Sequence, residues 1–256
     1  MAIFYFYVIL YFYNLVIIAH ITINKGYVMK NRYLKLALFA SLVSFGCASS
    51  AFADTGNIAI GAKASTLGFG GEVTVGLTPS FNVRAGYNGY NYSGSTSQNQ
   101  INYDYKLSLG SVPVMLDWYP FEHSGFRLSP GVIFNNNKLS ATGTPTGGGS
   151  YTLGVNTYTS TQIGSLTGSV DFDKTVPYLG LGWGNAVGKN GGLSFVFDLG
   201  VMFQGTPKVA LAASNPTIQN SPTFQTDINK EISDLKDKTD KFKYYPVLSI
   251  GLAYGF

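Results

Sequence analysis

The charged residues in the glycine- and aromatic-rich part of this chain fall where alternating strands would send them to one side. Lys63, Arg84, Lys106 and Arg127 stand against Glu72, Asp104, Asp117 and Asp198, four of each sign, with apolar or small neighbours on either side. Such a set supports two kinds of chemistry. The groups can pair with one another into a neutral plug, since charges inside a low-dielectric wall persist only when paired. Alternatively, they can hold both ends of a zwitterion such as an amino acid along a narrow hydrated path. In that case Asp104, Asp117 and Asp198 attract a cationic side chain, and Arg84 and Arg127 a carboxylate. Covalent chemistry has little material. Beyond residue 53 the only histidine is His123, in a turn-like stretch, so a hydrolase lacks a partnered base. With a lone His and no Cys in that region, neither a metal site nor a cofactor is expected.

Eight positions on one side of a surface require strands, and the last residues show what kind. From Tyr244 to the terminal Phe256, the residues Pro246, Leu248, Ile250, Leu252, Tyr254 and Phe256 share one face, while Val247, Ser249, Gly251, Ala253 and Gly255 share the other. A strand that is apolar outside, small or polar inside, and ends in an aromatic residue closes bacterial outer-membrane barrels. Leu248, Ile250, Leu252, Tyr254 and Phe256 form the membrane-insertion signature that the assembly machinery would read.

Seven more segments of transmembrane length precede it. They run Asn57 to Ser65, Phe69 to Leu77, Phe81 to Tyr92, Ile101 to Val112 (less regularly to Tyr119), Gly125 to Lys138, Val176 to Trp183 and Leu193 to Gln204. Parity sends Lys63, Glu72, Arg84, Asp104, Lys106, Asp117, Arg127 and Asp198 inward. The fold expected is all-β, an eight-stranded antiparallel transmembrane up-and-down barrel. Glycines on its interior, Gly180, Gly182, Gly184, Gly200 and Gly251, vacate volume there.

Connections after the even strands are short, and those after the odd strands are mostly long, which places the long ones outside the cell. Ser93 to Gln100 reads as a polar loop. The stretch from Lys138 to Lys174 is too polar for a core, with a hairpin allowed over 152–172. In the last external connection, Ile228, Ile232 and Leu235 recur at helical spacing and predict a short surface helix. Aromatic girdles are expected from Trp118, Tyr119, Phe121 and Phe126 at one end and from Tyr87, Tyr103 and Tyr105 at the other.

The start of the chain supports export. Met29 opens a stretch with Lys30, Arg32 and Lys35, an apolar run and the small residues before Asp54, which together form a signal peptide over 29–53. Cys47 offers a lipoprotein alternative with bulky Phe45 before it. Residues 1–28 read as an upstream extension ahead of the true start, or as an uncleaved anchor. Without residues 1–53 the chain loses Lys25, Lys30, Arg32 and Lys35, and basic and acidic residues become equal in number. That balance excludes a nucleic-acid partner. The barrel domain, 54–256, is expected to meet outer-membrane lipid, the outer-membrane assembly machinery and small-molecule solutes, as a monomer. A structural or adhesive barrel acting through its external loops is the rival reading.

PYLGLGWGN at Pro177 to Asn185, DLGVMFQGTPKV at Asp198 to Val209 and YYPVLSIGLAYGF at the C-terminus resemble the CarO-type family of small outer-membrane channels. TLGFGGE at Thr66 to Glu72 and AGYNGYNY at Ala85 to Tyr92 are similar to its N-terminal half. The resemblance implies an eight-stranded monomeric barrel with external loops, linked to uptake of small amino acids, including basic ones such as ornithine, and to passage of carbapenem drugs.

Overall fold

The computed structural model describes residues 56–121, 124–188 and 191–256. The expected signal peptide, the upstream extension and His123 lie outside them. Eight antiparallel strands close into a ring: β1 (Ile58–Ser65), β2 (Gly68–Thr78), β3 (Phe81–Gln98), β4 (Ile101–Trp118), β5 (Phe126–Asn135), β10 (Thr175–Trp183), β11 (Gly192–Phe203) and β13 (Tyr244–Gly255). The last strand meets the first at Ile60↔Tyr254, and β4 meets β5 at Val112↔Phe134, so no backbone edge is left to lipid.

Alternation decides which way each strand faces, and the faces are inverted relative to a soluble protein. Ile60, Leu179 and Phe195 are 56%, 55% and 58% exposed, whereas the inward Asn82 and Ser129 are fully buried. A wall of Ile, Leu, Val and Phe around a polar interior is stable only when lipid surrounds it. All five residues of the C-terminal signature lie on that outer wall.

Above the ring the chain builds more than loops. β3 and β4 are each 18 residues long and continue past the membrane. There the upper half of β4 pairs with β6 (Lys138–Pro145), followed by β9 (Leu166–Asp171) and β12 (Lys208–Ala213). A hairpin of β7 (Ser150–Leu153) and β8 (Asn156–Thr159) and the helices α1 (Ser160–Ile163), α2 (Pro216–Gln219) and α3 (Pro222–Thr239) complete an external cap. It has its own core, Ile101, Tyr151, Leu153, Tyr158, Ile163, Phe224 and Ile228, with Ile232 packed alongside. The predicted helix is α3.

Four expectations are corrected here. Residues 138–174 do take part in a core, because apolar residues spaced too widely to form a periodic run come together through pairing with β4 and α3. The hairpin within them is shorter and earlier than 152–172. Ser93 to Gln98 is strand, since the ladder from Ser93↔Lys106 to Gln98↔Ile101 satisfies its backbone whatever the side chains, and Asn99 and Gln100 turn at φ 50° and 60°. Of the expected girdle residues, Tyr119 points into the barrel and is 5% exposed, while Tyr103 and Tyr105 lie on the inner face of the extended sheet.

Candidate functional site

Six of the eight charges meet at mid-height in the lumen. Each is positioned by an inward register position, and glycines opposite make room. Glu72 on β2 lies between Gly61 and Gly86, Lys63 on β1 between Gly70 and Gly251, and Asp198 on β11 opposite Gly182. A Cβ at Gly182 would come within 2.8 Å of Asp198 Oδ1 and 3.0 Å of Arg127 Nε.

Arg84 is the hub. Its Nη1 and Nη2 donate to Asp198 Oδ2 and Oδ1 at 2.9 and 3.0 Å, a two-pronged grip. Nη2 also donates to Asp117 Oδ1 at 3.1 Å, and Nη1 lies 3.3 Å from Glu72 Oε1. Glu72 in turn holds Lys63 Nζ at 2.5 Å. Arg127 donates to Asp198 Oδ1 at 2.7 Å and to the carbonyl of Gly184, and Ser129 Oγ donates to Asp117 Oδ1 at 2.6 Å. Three cations and three carboxylates therefore cancel, all deeply shielded from water.

Asp104 and Lys106 do not belong to this group. β4 runs from Ile101 to Trp118 with no bulge, so these even-numbered residues share the outer face with Val112, Val114, Leu116 and Trp118. Above the membrane that face is wet, and both are exposed. The expectation that they line the lumen is overturned by a parity that cannot change within one unbroken strand.

The layer is sealed on both sides. Toward the outside lies an apolar cluster of Leu67, Met115, Ile133, Val176, Tyr178, Met202, Tyr245 and Val247. Toward the periplasm the segment 184–187 folds inward. Asn82 Nδ2 donates to Asn185 Oδ1 at 3.1 Å, Tyr119 OH to the Gly184 carbonyl at 3.3 Å, and Val187 is fully buried. The volume that the interior glycines vacate is refilled, because Tyr178 lies across Gly180 and Gly200, where a Cβ would come within 2.3 and 2.4 Å of its hydroxyl. What remains is a cavity of about 30 Å³, room for about two waters. Lys63, Glu72, Arg84, Asn88, Asp198 and Ser249 form its polar side, and Leu67, Met115, Ile133, Tyr178 and Val247 its apolar side. Asn88 Oδ1 is buried there without a hydrogen-bond partner, so the cavity presents an acceptor as well as both signs of charge.

Sequence reasoning missed the roles of Leu67, Tyr178 and Asn185, which are uncharged and come from a turn, a strand and a loop. Tyr178 carried a signal, an aromatic residue of inward parity in line with Gly180 and across the sheet from Gly200.

A closed eight-stranded ring with a lipid-facing apolar wall, a polar mid-lumen and its long connections at one end defines a bacterial outer-membrane β-barrel. Two solved structures from Acinetobacter baumannii share the fold. CarO2 superposes with a TM-score of 0.51 at 22% identity over 78% of this chain and 98% of that one. CarO does so with a TM-score of 0.50 at 20% identity over 79% and 98%. This is therefore a CarO-type outer-membrane barrel in fold. No protein-family model matches the sequence, and no curated protein does.

Proposed function

We propose that this protein is a narrow passage for small polar or zwitterionic solutes such as amino acids, closed in the conformation described. The charge layer carries the reading. The same lumen is filled just above that layer by apolar side chains, so the barrel can be packed without charges. Burying six charges has a desolvation cost that apolar packing avoids, and buried ion pairs are weak contributors to stability. Paired cations and carboxylates beside a cavity can exchange partners with the ammonium and carboxylate of an amino acid. Within this reading Asp117 and Asp198 attract cationic groups and Arg84 and Arg127 attract carboxylates. The protein acts as a monomer in outer-membrane lipid, after its C-terminal signature has engaged the assembly machinery, and performs no catalysis.

The seals above and below the layer support a second reading, a non-conducting barrel that acts through its cap. Liposome swelling separates the two. Folded protein in vesicles should admit glycine and ornithine faster than protein-free vesicles and should exclude a disaccharide. Swelling no faster than in protein-free vesicles would leave the cap as the functional part.

A further inference from the structure

The first external connection is a turn of only two residues, Thr66 and Leu67, and it enters the barrel. Leu67 is 2% exposed although it sits in a turn between two strands, where side chains ordinarily face water. It packs among Met115, Ile133, Val176, Tyr178, Met202, Tyr245 and Val247, contributed by five different strands, and lines the cavity that holds Lys63, Glu72, Arg84 and Asp198.

The turn is pinned through its other residue. Thr66 N donates to the Leu248 carbonyl at 3.0 Å, and Thr66 Oγ1 donates to the Pro246 carbonyl at 3.0 Å. Leu248 N lies 3.3 Å from the same hydroxyl, and Tyr245 OH donates to the Thr66 carbonyl at 2.7 Å. All four bonds run to β13. Gly68 completes the bend at φ +105°, where a Cβ would come within 2.6 Å of the Gly89 carbonyl, so this inward path needs glycine at that position.

We propose that the β1–β2 turn is the stopper of the outer mouth, with Leu67 as a removable lid over the charge-layer cavity and Thr66 as its latch on β13. The proposal rests on the reading of the lumen as a passage. The fastening is lopsided: of the eight side chains in the apolar cluster only Leu67 comes from a turn and not from a strand, and Thr66 makes the turn's bonds to β13. Moving the turn outward breaks four hydrogen bonds and exposes Leu67 while the barrel ladders of β2 and β13 stay intact. The cavity beneath then joins the external solution along the apolar side of the lumen.

The test reads access to the cavity separately from transport. Ser249 lines the cavity and is 5% exposed. The full chain carrying Cys47→Ser and Ser249→Cys is expressed, purified folded from outer membranes, and labelled with a small methanethiosulfonate. With Leu67→Ala added, labelling should accelerate roughly tenfold or more, because truncating a buried leucine removes much of what holds the closed form. Leu67→Met, which keeps the bulk, should label close to the parent rate. Thr66→Val, which leaves Leu67 whole and strips the hydroxyl bonds, should accelerate labelling less than Leu67→Ala and provides the same test should that variant not fold. Labelling of folded Leu67→Ala and Thr66→Val at the parent rate overturns the lid, whatever the liposomes show. Faster labelling with no solute entry in any variant keeps the lid and removes the passage.

Discussion

Asp198 joins two guanidinium groups that would otherwise face each other. It accepts from Arg84 at 2.9 and 3.0 Å and from Arg127 at 2.7 Å. Asp198→Asn keeps the shape and one acceptor oxygen but leaves the cluster with three cations and two carboxylates. Removing one partner of a buried pair costs about 3–5 kcal/mol. Because Glu72 and Asp117 still contact Arg84 and asparagine still accepts a hydrogen bond, the loss should lie near the lower end, about 3 kcal/mol. Arg127→Met alone should cost a similar amount, since it leaves three carboxylates against two cations and removes one donor each from Asp198 Oδ1 and the Gly184 carbonyl, which keep only Arg84 and Tyr119. The double variant restores neutrality, with Lys63 and Arg84 against Glu72 and Asp117. It should therefore cost less than the two singles together, by about 2 kcal/mol. Urea unfolding in short-chain phosphatidylcholine vesicles, followed through the lipid-facing Trp118 and Trp183, measures all four forms. A single-variant loss below about 1 kcal/mol, or strict additivity in the double, would refute the claim that these groups act as one neutral unit.

The cap offers further tests. Hydrogen bonds from Tyr158 OH at 2.6 Å and Asn156 Nδ2 at 2.7 Å hold the Asp227 carboxyl below its usual range, while burial and the contact with Asp227 push Tyr158 up to about 12. A lowered carboxyl pKa contributes stability above its unfolded value of 3.8 that is lost as pH falls, and a raised phenol pKa contributes stability that is lost as pH rises beyond 10.0. Hydrogen-exchange protection of residues 150–159, taken relative to the intrinsic exchange rate at each pH, should thus fall below about pH 4 and above about pH 10 and stay level between, and Asp227→Asn should abolish the acidic limb. Phe224 is fully buried against Tyr158 with ring centroids 5.2 Å apart. Phe224→Ala should cost the cap about 3–5 kcal/mol and open it to protease, with the barrel's heat-modifiable gel mobility unchanged. Gly182→Ala would push a methyl group against the Phe197 carbonyl and Asp198, and should lower barrel stability by about 1–3 kcal/mol in the same urea assay.

Much of the barrel was legible because lipid enforces a strict period of two. Leu193, Phe195, Phe197 and Leu199 announce β11, and the parity of Lys63, Glu72, Arg84, Asp117, Arg127 and Asp198 is correct for all six. What failed lay where that enforcement stops. Asp104 and Lys106 alternate with Tyr103, Tyr105 and Leu107, a pattern read as inward charges and outward aromatics. Above the membrane the same alternation means the reverse, because water covers the outer face and the inner face packs against the cap. The sheet of β6, β9 and β12 consists of Ser, Thr, Gly and Ala with scattered apolar residues, a composition that only tertiary pairing turns into strand. Pairing of the charges into a neutral plug is one of the two readings that the parity allows, but the seals above and below that layer are not visible in it. Charge parity placed the ions, but whether they face an open path depends on Leu67, Tyr178 and Val187, whose positions are set by a turn, a rotamer and a loop.

Isotope-labelled uptake into proteoliposomes tests the central claim most directly, with glycine, ornithine and glutamate measured side by side in the wild-type protein and in folded Asp198→Asn. The account predicts entry of glycine and ornithine above protein-free vesicles in the wild type, with ornithine slowed more than glycine in the variant because the lost carboxylate is the one that attracts a second cation. Entry of none of the three above protein-free vesicles, or equal slowing of all three, would contradict the claim that solutes pass through the charge layer and are selected there.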